Sequence, residues 1–324
     1  MKVKRFDISS DTSFWNKFVR EGKNSTFLFH RDFMDYHADR FYDYSLMVYN
    51  DESQIVAVVP ANINSDNQII SHQGLTYGSF VLQKEAKLLS TLSIIYHLLK
   101  FLQDQGIEVF LLKSFPWFYN AHPTDEIEYA LFLLNAELYR RDTAFVIDLQ
   151  NRIQYTGNIR REGNKAEKVN ALIKEDDTLD EFWNVVLSPN LMEKFGVKPV
   201  HSLEEIKLLQ SYFPENIKQY NVYLDGKVVA GTTLFITDNV VHCQYISSNE
   251  HGRKSGCLNF LFKHLLDSTF TNKQYFDFGI VNENGGRSIN SGMLFWKESF
   301  GGRAQRHDFY KINTVNYKSL EPYI

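Results

Sequence analysis

Between Asn239 and Phe270 the spacing of apolar residues changes period. Val240 to Ser247 is β-rich and bounded by turn formers, which predicts a strand. From Cys257 onward, Leu258, Leu261, Phe262, Leu265 and Leu266 recur at helical spacing and predict an amphipathic helix. Gly252-Arg253-Lys254-Ser255-Gly256 lies between them. A strand, a glycine-containing basic loop and a helix start together make an anion cradle. Free N–H groups of the first helical turn and the helix dipole favour a phosphate there, and glycine lets the backbone come close to it. The same residues also suit a surface turn, because short glycine motifs are weak signals.

The first forty residues predict a helix carrying Phe14 and Phe18, a brief extended run from Thr26 to Phe29, and a second helix with Asp32 as its cap and Phe33, Tyr36 and His37 on it. His30 and Arg31 stand at that junction, as a polar corner or as substrate contacts. Next come a strand from Ser45 to Tyr49, a turn, a strand from Gln54 to Ala61, a turn at Asn64 to Gln68, and an extended stretch from Ile69 to Phe80. Leu88, Leu92, Ile95, Leu99 and Leu102 mark a helix that Gly106 stops. A strand from Ile107 to Lys113, a helix from Glu126 to Glu137 and a strand from Phe145 to Leu149 follow.

The second half runs in the same order. It has strands from Tyr220 to Leu224 and Lys227 to Thr237 about an Asp225-Gly226 turn, then the Val240 strand and the Cys257 helix. A strand from Gln274 to Ile280, a helix from Ser288 to Glu298 and a strand from Asp308 to Ile312 complete it. A repeat of element order predicts two copies of one α/β unit with a mixed sheet, residues 1–150 and 151–324. The first copy has Gln83-Lys-Glu-Ala86 where the second has its glycine-containing basic stretch. The second copy is therefore expected to hold a phosphate-bearing donor. The first, with its donor loop degenerate, is expected to serve the acceptor. Residues 152 to 219, joining the copies, are expected to be helical, with capping boxes at Thr178/Glu181 and Ser202/Glu205 and a stop at Pro214.

Length and composition fit this picture. The chain has 324 residues, 44% hydrophobic and 23% charged, which suits two globular domains. Aromatic residues make up 15%, enough for large cores or flat binding walls. The net charge of −4 gives no global attraction to DNA. A local basic cluster exists at Arg152, Arg160, Arg161, Lys165 and Lys168 against Glu162 and Glu167, which is either a binding surface or a solvated helix face. Two cysteines, Cys243 and Cys257, have no metal-ligand spacing and make no disulfide framework. The start has no apolar signal core, and no run is long enough to span a membrane. A soluble cytoplasmic protein is expected, without metal.

On these residues the chain resembles the tandem GNAT-fold acyltransferases, and more narrowly the compact GNAT/FemAB-related proteins. In GNAT enzymes an Arg/Gln-x-x-Gly-x-Gly/Ala loop holds the acyl-CoA pyrophosphate. Here it maps to Arg253, Gly256 and Leu258, with Leu258 in place of the small last residue. The later helix begins with Asn290, and Trp296 and Lys297 stand where a thiol-protonating Tyr is usual. Phe295-Trp-Lys-Glu-Ser-Phe-Gly301 is similar to the Phe-Lys-x-x-Phe-Gly close of FemAB-type proteins. So are Thr26-Phe-Leu-Phe-His-Arg31, His72-Gln-Gly-Leu-Thr-Tyr-Gly78 and Lys198-Pro-Val-His201.

The resemblance implies transfer of an acyl group, acetyl for preference, from acyl-CoA to an amine of a bacterial cell-surface polysaccharide or peptidoglycan precursor. One alternative is the FemAB reaction, in which aminoacyl-tRNA donates, read here through Arg160 and Arg161. No heptad run forms the coiled-coil arm that several such enzymes carry. Another alternative is a non-catalytic binding protein on a degenerate GNAT fold.

Acyl transfer to an amine needs a positioned neutral amine, a base and a polarised carbonyl. Glu283, in the loop after Tyr275 to Gly279, is the first candidate base, and His201 the second. Lys297 is a candidate charge stabiliser. Gln244 and Tyr245 are placed to orient the acyl carbonyl, beside Arg253, Lys254, Ser255, Gly256 and Asn290 for the donor. His72 and Tyr77, with His30 and Arg31 behind them, are candidates for acceptor binding. Each has an ordinary structural reading as well: loop solvation for Glu283, a backbone hydrogen bond for His201, core packing for Tyr245, helix surface for Lys297. Asp277-Phe278-Gly279 spells a kinase triplet without its other motifs. There is no Gly-x-Ser-x-Gly elbow and no His-Glu-x-x-His site.

Overall fold

The computed structural model describes all 324 residues. The chain divides into two compact units, Met1–Asp142 with Arg306–Ile324, and Thr143–Gln305. The strand Arg303–Asn313 returns the C-terminal end to the first unit.

In the first unit, strands Lys2–Arg5, Leu46–Tyr49, Ile55–Val59 and Val81–Leu82 lie side by side in that order. A second set runs from the end of Arg303–Asn313 through Val109–Lys113, Ile69–Ile70 and Asn62–Ile63 to Tyr42–Asp43. The helix Leu88–Asp104 presents Leu92, Ile95, Leu98, Leu99 and Leu102, all buried, to a core shared with Leu46, Val56, Phe80 and Phe110. Burying side chains of this size contributes about 1.5–3 kcal/mol each, so the i, i+3, i+4 spacing suffices to dock this helix.

In the second unit the strand order is Leu172–Asp176, Ile217–Leu224, Lys227–Ile236, Val240–Ser248, Tyr275–Ile280, then the end of Glu137–Asp148. All neighbours are antiparallel except the Val240 and Tyr275 strands, which run parallel and are joined through the helix Cys257–His264. That helix buries Cys257, Leu261 and Phe262 against Val241, Cys243, Phe276 and Phe278. No helix is long and apolar enough to cross a membrane. No group of three or more His, Cys, Asp or Glu residues is placed to hold a metal ion.

Several local expectations are corrected. The stretch Gly252 to Gly256 is not a loop. Asn249 caps a short helix, Glu250–Lys254, by accepting from the Gly252 N–H at 2.9 Å, so the chain turns helical at once. In the first helix Phe14 is exposed, while Trp15 and Val19 carry the buried face. The Phe27–Phe29 run is a 3-10 turn rather than extended chain, and only Ile69–Ile70 of the next long extended stretch pairs in a sheet. The joining segment contains a strand, Leu172–Asp176, whose polar sequence hides it because it pairs on one side only. The Ser291–Ser299 helix is preceded by a hairpin of Asn282–Glu283 with Ser288–Ile289.

Candidate functional site

The site is built where two parallel strands stop pairing. Val240, Val241 and His242 face Tyr275, Phe276 and Asp277; beyond His242 and Asp277 no further pair forms. Two irregularities part the strands. On one side, Thr233 pairs with Tyr245 and Leu234 with Cys243, so Gln244 is the extra residue of a β-bulge. On the other, Gly279 adopts φ +73° and the register with the Glu137 strand slips between Asp277 and Ile280. Glycine is needed there because L side chains avoid that conformation.

Parting two strands frees backbone carbonyls, and Lys297 satisfies two of them. Its Nζ donates to Gly279 O at 3.0 Å and Ile280 O at 2.8 Å, and the side chain is 3% exposed. Burial lowers its pKa to about 8, against the pull of Asp277 in the other direction. An ammonium has three donor protons. With two engaged, one remains for an oxygen placed in the gap. Gln244 adds a buried carbonyl oxygen, Oε1, that has no hydrogen-bond partner.

Asp277 is the hub of the parting. Its Oδ2 lies 2.8 Å from His242 Nδ1 and its Oδ1 accepts from the Gly279 N–H at 2.7 Å. Cys243, on the opposite face of its strand, is fully buried in the core, and burial holds its thiol well above the usual range. It is a packing residue. On the sheet face that carries His242, Tyr245 packs edge-on to Trp183 at 4.8 Å between ring centres. The Tyr245 hydroxyl meets His201 Nδ1 at 2.6 Å and accepts from the His201 N–H at 3.2 Å. Burial raises the Tyr245 pKa to about 12, so this phenol stays neutral.

Other expected residues fall elsewhere. Glu283 is exposed on the hairpin and accepts from Asn290 Nδ2 at 3.1 Å, while Asn290 caps its helix by accepting from the Met293 N–H. Arg253 is tied to its own unit, donating to Ser248 O at 2.6 Å and to Asn190 Oδ1 at 3.3 Å. Lys254 pairs with Glu250 on the surface at 2.6 Å, and Ser255 is the half-buried end of that turn. Gly256 has φ +73°, and a Cβ there would run into the Glu162 carbonyl oxygen. It is a helix-packing glycine. Trp296 packs among Phe262, Phe278 and Phe300 and donates to Asn259 Oδ1. Arg160 and Arg161 are exposed on the helix Gly157–Lys168.

In the first unit, Arg31 is buried in ion pairs with Asp35 and Asp43 and lies 4.0 Å from the Phe6 ring centre. Tyr77 is buried, its hydroxyl 3.0 Å from Thr26 Oγ1. His72 is buried with φ +62° and stacks on His37 at 5.0 Å; burial, with His37 beside it, holds its pKa well below the usual value. His30 is half-buried at the helix start, and burial lowers its pKa. The pair that sequence reasoning missed is His242 with Asp277. Asp277 was visible only inside the dismissed Asp-Phe-Gly triplet, and His242 inside an ordinary strand pattern. Each is the third residue of its strand, and they meet at the last parallel pair, a register that no local pattern encodes.

Residues 154–287 match the family model of the acetyltransferase (GNAT) domain. No curated protein sequence matches the chain significantly. Among solved structures, FemX superposes with a TM-score of 0.68 at 11% identity, covering 99% of each chain. L-PGS from Bacillus licheniformis gives 0.61 at 13% identity, over 99% of this chain and 98% of that one. A tandem GNAT protein from the clavulanic acid biosynthesis pathway gives 0.52 at 9% identity, over 97% of this chain and 98% of that one. At such identities the likeness concerns the fold. Residues 154–287 thus carry the match to the GNAT acetyltransferase model, and the chain as a whole shares the fold of FemX and of the tandem GNAT protein.

Proposed function

We propose that the second unit transfers an acyl group to an amine at the parting of the Val240 and Tyr275 strands. The observation that carries this is the parting itself: just past the last strand pair, one strand has a bulge at Gln244, whose buried Oε1 has no partner, and the other gives two carbonyls to a buried lysine with a spare donor. The acyl carbonyl lies in the gap, with the spare Lys297 proton stabilising the negative charge that develops on its oxygen during attack. Gln244 orients the donor through Oε1. The acceptor is an amine, and the family resemblance points to a cell-envelope precursor.

The acetyltransferase family match supports acyl-CoA as donor. A specific observation favours aminoacyl-tRNA as a second reading. The stretch expected to cradle a pyrophosphate is a capped helical turn that opens on Glu250, its arginine bonded to its own backbone and Gly256 pressed on Glu162. Meanwhile Arg160, Arg161, Lys165 and Lys168 are exposed on one helix.

The test is calorimetric titration with acetyl-CoA and then with charged tRNA, each beside Gln244→Ala. Saturable acetyl-CoA binding that weakens in the variant supports the first donor. Silence up to millimolar acetyl-CoA, with salt-dependent tRNA binding, supports the second. Binding of neither, with no transfer to any amine, would leave the acyltransfer proposal without support.

A further inference from the structure

We propose that His242, held by Asp277, is the general base of the transfer. This rests on the acyl-transfer reading of the same site. Asp277 cannot donate when ionised, so the 2.8 Å contact makes His242 Nδ1 the donor, and in the neutral ring the lone pair then lies on Nε2. No protein group bonds Nε2, and 12% of the side chain reaches solvent. The aspartate is itself fixed, since its other oxygen holds the Gly279 N–H. A Cβ on Gly279 would stand 3.5 Å from His242 Cε1, so the absent side chain keeps the edge of the imidazole ring clear. The ring sits at the last paired position before the strands part, two residues along the chain from Gln244, whose Oε1 has no partner.

The other candidates lack this arrangement. Glu283 is exposed and engaged by Asn290. His201 is 5% exposed, and its Nδ1 meets the Tyr245 hydroxyl at 2.6 Å. An imidazole oriented by a carboxylate in a fixed tautomer is the arrangement a proton acceptor requires.

The step balances as follows. An amine that arrives as ammonium first loses a proton to solvent; the neutral nitrogen then bonds to the acyl carbon and gives one proton to His242 Nε2. The carbon–sulfur bond of a thioester, or the carbon–oxygen bond of an aminoacyl ester, breaks with its electron pair staying on sulfur or oxygen. His242 returns the proton to that atom.

Two measurements test this. In the first, transfer is followed from acetyl-CoA and from charged tRNA to glucosamine, whose amine is mostly protonated at neutral pH, and to hydroxylamine, a much weaker base. His242→Gln is expected to lose about 10²–10⁴-fold with glucosamine and distinctly less with hydroxylamine, and added imidazole is expected to restore part of the activity of His242→Ala. Equal losses with both amines and no imidazole rescue would mean structural damage and overturn the assignment, as would a fully active His242→Gln. No transfer by the unaltered protein from either donor would remove the acyl-transfer reading and the assignment with it. The second measurement does not depend on activity. Nitrogen-15 NMR of the imidazoles should show His242 protonated at Nδ1, and Asp277→Asn should abolish that preference. Protonation at Nε2 in the unaltered protein would overturn the proposal even if transfer is observed.

Discussion

Each unit has a histidine at the end of its short parallel strand pair or just beyond it, and the two differ in the charge beside it. In the second unit, His242 faces Asp277. In the first, the pairing ends at Ile70 and Leu111, and His72 follows two residues later with φ +62°, close enough to Lys113 to feel its charge. A cation instead of a carboxylate gives that histidine nothing to donate to and opposes its protonation, and His72 is buried against His37. The chain beyond it fills the space that the parting leaves. Lys113 donates to Gln73 O at 3.0 Å and Leu75 O at 2.7 Å, a Cβ on Gly74 would strike His37, and one on Gly78 would strike the Ser71 carbonyl. A buried lysine of pKa about 8 serves two carbonyls in both units. Both partings hold a buried polar atom without a hydrogen-bond partner, His72 Nδ1 in the first unit and Gln244 Oε1 in the second, and only the second has a carboxylate-held imidazole. The same α/β frame therefore supports a filled strand split and the one we propose to be reactive, and the charge beside the histidine distinguishes them.

The largest expected effect comes from removing that distinction. Asp277→Asn should lower transfer by about 10²–10⁴-fold, because the amide no longer fixes the imidazole tautomer. A thermal melt close to that of the unaltered protein would show that the loss is chemical. In the first unit the expected effects are on stability. Arg31→Ala leaves Asp35 and Asp43 without their buried cation and should cost about 3–5 kcal/mol by denaturant unfolding. A change below about 1 kcal/mol would reopen a binding role for Arg31.

Gly256→Ala tests packing against phosphate binding. A left-handed backbone and a clash with Glu162 should destabilise the protein by about 2–4 kcal/mol, whatever donor is present. A variant of normal stability that fails only to bind acetyl-CoA would restore the cradle.

The pH dependence of Lys297 follows from its depressed pKa of about 8 against an ordinary 10.5. Its charge is present below that folded value and lost as pH rises through it, so transfer should fall on the alkaline side with a midpoint near 8. Between about 8 and 10.5 the unfolded chain holds the extra proton, so this group's contribution to stability rises with pH there. Activity and stability should thus move in opposite directions. Asp277 and Cys243 are the titratable groups beside it. Lys297→Arg, which keeps its charge, should lack the alkaline limb in a pH–rate profile. The smallest effect is expected for Arg161→Ala, within about 0.5 kcal/mol in stability because the residue is exposed. Under the tRNA reading it reduces the salt dependence of RNA binding.

The sequence was most legible where burial is one-sided and regular. The Leu88 helix, the hairpin about Asp225-Gly226, the Val240 strand, the Cys257 helix and the Ser202/Glu205 capping box all follow from period and caps. It was least legible where polar atoms decide. The Asn249 cap turned an expected loop into a helix, and the polar Leu172–Asp176 strand carries little apolar signal. Lys297 and Gln244, which the proposed site uses, stand out in the sequence by motif and position. The His242–Asp277 pair was not, because its members are 35 residues apart and meet only through a parallel register that no local pattern encodes.

The most direct measurement of the central claim is acyl transfer by three proteins side by side: unaltered, Gln244→Ala with Lys297→Met, and Lys113→Met. Each would receive labelled acetyl-CoA or charged tRNA together with an amine acceptor. If the second unit's parting is the reaction site, the Gln244/Lys297 variant loses transfer, while Lys113→Met loses activity only in proportion to its unfolded fraction. Transfer that survives the first variant and disappears in well-folded Lys113→Met would place the chemistry in the first unit and contradict the account.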